Sequence, residues 1–230
     1  MSLIAQNLER IRNEVADACA RAGRSTDSVA LMAVSKTHPA EAVLEALAAG
    51  QRLFGENRVQ EFASKREGLE AARGAEFHLI GPLQSNKTTR AAELFDAFDA
   101  LDSLKIAERL NATCVTLHKR LPVFVEVKLS HEESKHGLSA EQLPAFLDAV
   151  SALPQLELRG LMTVPPFSDD SEGARPYFAQ LRALRDAAQE RHPSLTGLSM
   201  GMSHDFRVAI EEGSTCVRVG TAIFGKRDSA

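Results

Sequence analysis

Two kinds of segment alternate along this chain, and that alternation limits its fold more than any other feature. Short apolar, β-rich runs occupy 29–35, 52–55, 77–80, 97–101, 123–129, 158–164, 198–200 and 217–224. Between them lie stretches rich in Ala, Leu, Glu and Arg with helical periodicity, at 39–49, 57–72, 86–93, 103–119, 140–152, 173–191 and 205–212. Short apolar runs bounded by turn residues read as buried strands, and parallel strands need crossovers, usually helical. Eight strands separated by helices predict an α/β fold, a single (β/α)8 TIM-type barrel. The competing arrangement is an open doubly wound sheet. The count of eight, and the lack of a GxGxxG run after the first strand, favour the barrel.

A helix precedes the first strand, over 1–22. Leu3, Leu8, Ile11 and Val15 recur at roughly helical spacing, and Gly23 follows as a natural stop. Further helix starts are marked by Pro39, by Ser139 with Gln142 three residues on, and by Ser203 ahead of Asp205. No linker or charge block divides residues 1–230, so one domain is expected, with 226–230 as a short tail. The charged segment 132–137 after the fifth strand reads as a mobile flap or as an ordered loop closing a pocket.

Charge and cysteine content narrow the function classes. Lys+Arg number 27 against Asp+Glu 31, a net charge of −4, which argues against a large nucleic-acid or anionic-membrane footprint. Cys19, Cys114 and Cys216 are far apart and odd in number. They read as reduced, buried thiols of a cytoplasmic protein, with neither a disulfide framework nor a metal site. Residues 1–20 carry charges throughout and no apolar leader core, and no run reaches membrane-spanning length.

In a barrel, chemistry gathers at the C-terminal ends of the strands. The first strand ends Val34-Ser35-Lys36-Thr37-His38-Pro39. Counting by twos, Lys36 shares a face with Val34, Met32 and Ala30. If that face is interior, desolvation favours the neutral amine, a nucleophile suited to Schiff-base formation; a lysine capping a strand in water is the plain alternative. The seventh strand leads into Ser199-Met200-Gly201-Met202-Ser203-His204-Asp205 and the eighth into Gly220-Thr221. Ser199, Ser203, Gly220 and Thr221 suit the phosphate position that barrels place after these two strands, although Ser203 could equally be a helix cap. Arg218 interrupts an otherwise apolar strand. A buried arginine needs a partner, so it is expected to point inward at a ligand. Facing a pyridine nitrogen it would donate a hydrogen bond and disfavour the pyridinium.

These stretches resemble the pyridoxal-phosphate homeostasis protein family, single-domain relatives of the alanine racemase barrel. The likeness is carried in order by residues 33–37, 54–57, 78–87, 132–137, 159–162, 198–203 and 217–225. It implies an alanine racemase N-terminal-domain-like barrel that binds pyridoxal 5′-phosphate (PLP). Lys36 would form the covalent aldimine, Asn57 would pack near the ring, and Arg218 would face the pyridine nitrogen. Ser199, Ser203, Gly220 and Thr221 would cradle the phosphate, with Met200 also in the cofactor-binding set. Arg58 and Lys128 depart from the family pattern, which commonly has Tyr and Asn there.

The resemblance also implies a role in vitamin B6 balance: a PLP carrier with no robust turnover and no catalytic residue, passing PLP transiently to apo-enzymes. A racemase of this barrel family uses a tyrosine from a second domain as its opposing base. The chain ends just after the eighth strand, and its one tyrosine, Tyr177, falls in the helix at 173–191; a monomer is expected. The alternative is a weak amino-acid racemase, with His38, His78 and His204 as candidate acids or bases. A third reading drops PLP for a Schiff-base aldolase acting on a phosphorylated sugar, which would keep Lys36 and the phosphate loops.

Overall fold

A computed structural model describes residues 1–130 and 136–225. Most of the charged 132–137 segment and the 226–230 tail lie outside the described residues. The strands are β1 (Ala30–Val34), β2 (Leu53–Glu56), β3 (Glu76–Leu79), β4 (Ala97–Leu101), β5 (Leu121–Glu126), β6 (Leu156–Met162), β7 (Gly197–Ser199) and β8 (Cys216–Val219). All neighbours pair in parallel, and β8 pairs back onto β1, closing the expected barrel.

The helices are α1 (Leu3–Arg21), α2 (Ala40–Ala48), α3 (Val59–Arg66), α4 (Thr88–Leu94), α5 (Leu104–Thr116), α6 (Leu143–Ser151), α7 (Arg175–Gln189), α8 (Phe206–Glu211) and α9 (Thr221–Phe224). Helix α1 buries Leu8, Ile11, Val15, Ala18 and Cys19 against the barrel exterior. Leu3, grouped with that face from its spacing, is instead 70% exposed. Between the sheet and the helices the packing is aromatic. Phe54 and Phe77 stack with centroids 5.4 Å apart, and Phe62 bridges Phe77 and Phe95 at 4.8 and 4.7 Å, within the range of favourable ring pairs.

Several boundaries move. Strands β5 and β6 start two residues before the expected 123 and 158, taking in Pro122 and Glu157, residue types that depress strand propensity. Strand β5 also stops sooner, because main chain beyond it takes over its pairing. Leu138 N–H donates to Glu126 O at 2.9 Å, and Lys128 N–H donates to Leu138 O at 2.8 Å. The larger correction concerns the eighth strand, expected to run to 224. It ends at Val219, and Gly220 turns the chain into α9, where Ile223 and Phe224 N–H both donate to Gly220 O at 2.9 Å. Apolarity alone does not separate a strand from a buried helical turn. Gln142 reaches back to Ser139 N–H at 3.2 Å, as its spacing suggested, although α6 begins only at Leu143.

Close packing between β5, β6 and β7 depends on Gly160. A Cβ there would meet Gly197 O at 2.3 Å and Phe124 Cε1 at 2.6 Å. Backbone cannot give way as a flexible side chain does, so Gly160→Ala is expected to destabilise the barrel by roughly 2–3 kcal/mol. A urea titration reads this as a lower midpoint at unchanged slope.

Candidate functional site

A cavity of about 510 Å³ opens at the C-terminal mouth of the barrel, a size typical of small-ligand sites. Lys36 and Val34 line it from β1 and the loop beyond, while Ser35 between them is fully buried. This is the alternation expected of a strand continuing into its loop. Asn57 enters from the loop after β2, and Ser203, Gly220 and Thr221 from the loops after β7 and β8. Gly81 lets the β3 loop lie on the β2 loop: a Cβ there would meet Asn57 O at 2.4 Å. Asn57 is thereby held by backbone packing.

Arg218 also lines the cavity, only 4% exposed. Its guanidinium donates to Ser199 Oγ at 2.8 Å and to Thr163 O at 2.9 Å. Burial pulls its pKa down, opposed by the charges of Asp99, Glu126 and Asp205. An arginine nonetheless stays protonated. Beneath it, Asp99 Oδ1 lies 2.9 Å from His78 Nδ1, and Glu76 Oε1 lies 2.8 Å from His78 Nε2. Burial alone would lower the His78 pKa. The charge and hydrogen bond of Asp99, with those of Glu76, outweigh it and push His78 up to about 10. Asp99 thus acts on two buried cations, His78 and Arg218.

The cavity wall is rich in cations: Lys36, Lys128 and Arg218 face it, with Glu126 as the acidic group. Burial pushes the Glu126 carboxyl up and the nearby Asp102 charge adds to this, against the pull of Arg218 and His136. Asp205, beside the mouth, is also raised by burial, against a 2.6 Å hydrogen bond from Met202 N–H and the charge of Arg218. Ser130 Oγ in the wall is buried with no hydrogen-bond partner among the described residues.

Six expected residues converge on the cavity: Lys36, Asn57, Ser203, Arg218, Gly220 and Thr221. Ser199 and Met200 are fully buried and are not among the lining residues; Ser199 instead meets the guanidinium of Arg218. Of the candidate histidines only His204 lines the cavity. His78 is committed to the barrel core, and His38 stacks on Phe224 with centroids 5.0 Å apart. Arg58 is exposed at the start of α3 and not in the lining, whereas Lys128 is. Tyr177 stands on α7, away from the lining residues.

Sequence reading singled out Lys128 and the 132–137 segment but missed Glu126 and Ser130, which face the cavity on the same β5 side as Lys128 and His136. The signal lay in period-two spacing carried past the strand end: 126, 128 and 130 fall on one side. No group of three or more His, Cys, Asp or Glu able to hold a metal occurs among the described residues. The three cysteines are free and buried, and no helix among the described residues is long and apolar enough to cross a membrane.

Residues 6–228 match the family model of the alanine racemase N-terminal domain. The chain is 46% identical over 235 residues to the pyridoxal phosphate homeostasis protein of Vibrio cholerae, covering 99% of this chain and 98% of that one. It is 44% identical to the protein of that name from Escherichia coli K12, covering 99% and 98%. The structure of PipY from Synechococcus elongatus PCC7942 with PLP bound superposes with a TM-score of 0.86 at 41% identity, covering 96% of this chain and all of that one. Alanine racemase of Clostridium difficile 630, 16% identical with a TM-score of 0.76, shares the fold alone. By this similarity along nearly its whole length, the chain belongs to the pyridoxal phosphate homeostasis protein family, built on the alanine racemase N-terminal domain.

Proposed function

We propose that this chain binds PLP, holds it through Lys36 as a Schiff base, and serves intracellular PLP (vitamin B6) balance without robust turnover of its own. The observation that carries this is one cavity into which Lys36 and the buried Arg218 both open, from neighbouring strands. The residues fit the cofactor. Ser203, Gly220 and Thr221 suit a phosphate, and the unpartnered Ser130 Oγ leaves a buried group for a polar ligand to satisfy.

Bound PLP supplies an aldehyde that condenses with an amine and a ring that withdraws electrons. Lys36, which lines the cavity, would supply the amine for that condensation, with the aldehyde oxygen and the two amine protons released as water. Ser203, Gly220 and Thr221 would hold the phosphate, and Asn57 and Arg218 would hold the ring. Ser199 acts by holding Arg218, and Met200 packs beneath the site. As a permanent cation facing the ring nitrogen, Arg218 would disfavour a proton there, and the ring would then withdraw electrons weakly. That suits storage better than turnover.

Transfer to apo-enzymes, monomeric state and cytoplasmic residence complete the proposal. Supporting them, the cysteines are free and buried, and the exposed apolar side chains Leu3, Val115 and Phe167 stand on α1, on α5 and in the loop after β6. The second reading is weak racemase activity, favoured by His204 in the cavity wall. Solvent deuterium exchange at the α-carbon of alanine separates the two. Exchange no faster than with free PLP is expected, together with restored activity when an apo PLP-enzyme is mixed with the loaded protein. Exchange well above free PLP would establish the racemase.

A further inference from the structure

Behind the cavity, on the face of β1 and β2 turned toward α3, lies a buried ionic cluster with no place in the site described so far. Lys65 Nζ sits 2.6 Å from Glu56 Oε1, and their side chains are 6% and 0% exposed. The same ammonium donates to Ser35 O at 2.8 Å, and Ser35 Oγ donates to Glu56 Oε1 at 2.7 Å. Glu61, one helical turn before Lys65, accepts from Thr37 N–H. It also lies within 3.9 Å of Lys65.

These contacts bracket one residue. Ser35 is held at its carbonyl and its hydroxyl, and Thr37 at its amide. Lys36 stands between them and is the residue that turns into the cavity. Thr37 has φ +67°, a left-handed conformation uncommon outside glycine and worth of order 1–3 kcal/mol of strain. Strain of this kind persists where surrounding structure fixes it, and here the fixing group is the Glu61 carboxylate. A buried ion pair contributes little net stability, so stability alone does not account for placing one here. Glu56 Oε2 is buried without a partner among the described residues, which makes the cluster dearer still as a stabilising device.

We infer that Lys65, Glu56 and Glu61 are positioning residues, a clamp on segment 35–37 that aims the Lys36 amine into the cavity. This rests on the covalent role proposed for Lys36. Among the described residues its side-chain hydrogen bonds and ion pairs run to Ser35 and Thr37 and within the cluster, not to Ser203, Gly220 or Thr221. The clamp therefore acts on the approach of the amine to the aldehyde and not on retention of the phosphate and ring.

The test compares wild type, Lys36→Ala, Lys65→Met and Glu61→Ala. Borohydride trapping at set times after PLP addition gives the rate of adduct formation on the Lys36 peptide. Fluorescence titration with pyridoxine 5′-phosphate, which lacks the aldehyde, gives non-covalent affinity. Lys65→Met is expected to slow trapping at least about tenfold, since misplacing a reacting group by 1 Å costs on the order of 100-fold. Its affinity for pyridoxine 5′-phosphate should stay at the wild-type value. Trapping at the wild-type rate, or equal losses in both measurements, would overturn the clamp. If Lys65→Met does not fold, Glu61→Ala decides. Its side chain is 28% exposed, so its removal leaves a foldable chain, and it must show the same split between rate and affinity. A wild type with no adduct at Lys36 would remove the covalent role, and the clamp with it. An adduct in wild type with unchanged variants would overturn the clamp alone.

Discussion

Asp99→Ala is expected to lower the unfolding free energy by about 3–5 kcal/mol near neutral pH, the usual result of stripping one partner from a buried ion pair. Asp99 is 1% exposed and accepts from His78 at 2.9 Å. Without it His78 keeps only Glu76, whose side chain is half in solvent at 56% exposure. Burial then dominates and the ring goes neutral.

The pH dependence identifies the cause. His78 is raised from 6.5 to about 10 in the folded protein. Its contribution is therefore fully present below pH 6.5 and is lost as pH rises toward 10. Wild type should lose stability across that window. Asp99→Ala should lose far less, so the two curves converge on the alkaline side. Urea titrations at a series of pH values test this. A gap that stays constant with pH would show that lost packing, not the His78 proton, carries the cost.

Arg218→Met is expected to weaken PLP binding by roughly tenfold to a hundredfold. That is the span set by about 1.5–3 kcal/mol for a hydrogen bond to a charged group. The shape is largely kept, but the cation facing the cavity is gone. Ser199 Oγ and Thr163 O lose their donor. Glu126 and Asp205, already raised by burial, lose the charge that pulls them down. Both should rise further. The variant then binds more protons folded than unfolded and loses stability as pH rises through those raised values. Equilibrium dialysis with PLP, beside thermal melts at two pH values, measures both effects. Unchanged affinity would show that Arg218 is structural only.

Much of the fold was legible because barrel strands are buried on both faces and announce themselves as apolar runs. The same property hid the boundary at Thr221, where a buried helical turn is as apolar as the strand before it. Lys36, Ser203, Gly220 and Thr221 were legible as residues of the cavity wall because they lie within a few residues of strand ends. Arg218 was legible because a charge inside an apolar strand demands a ligand or a partner. Ser199 was expected at the phosphate from its type and place; it is fully buried and accepts from the Arg218 guanidinium. His78 was a candidate acid or base, yet it lies buried within β3 and is paired with Asp99 and Glu76. Its partner Asp99 comes from the neighbouring strand, a contact that no local pattern encodes. The Glu56–Lys65 pair is hidden for the same reason: the two residues meet only once α3 packs behind β1 and β2.

In the proposed function, Lys36 carries the cofactor covalently. Borohydride reduction of the PLP-loaded protein, followed by peptide mass spectrometry beside Lys36→Ala, tests it directly. A phosphopyridoxyl adduct on the Lys36 peptide, absent from the variant, is the expected result. An unmodified Lys36 after incubation with excess PLP, or an adduct confined to another lysine such as Lys128, would contradict it.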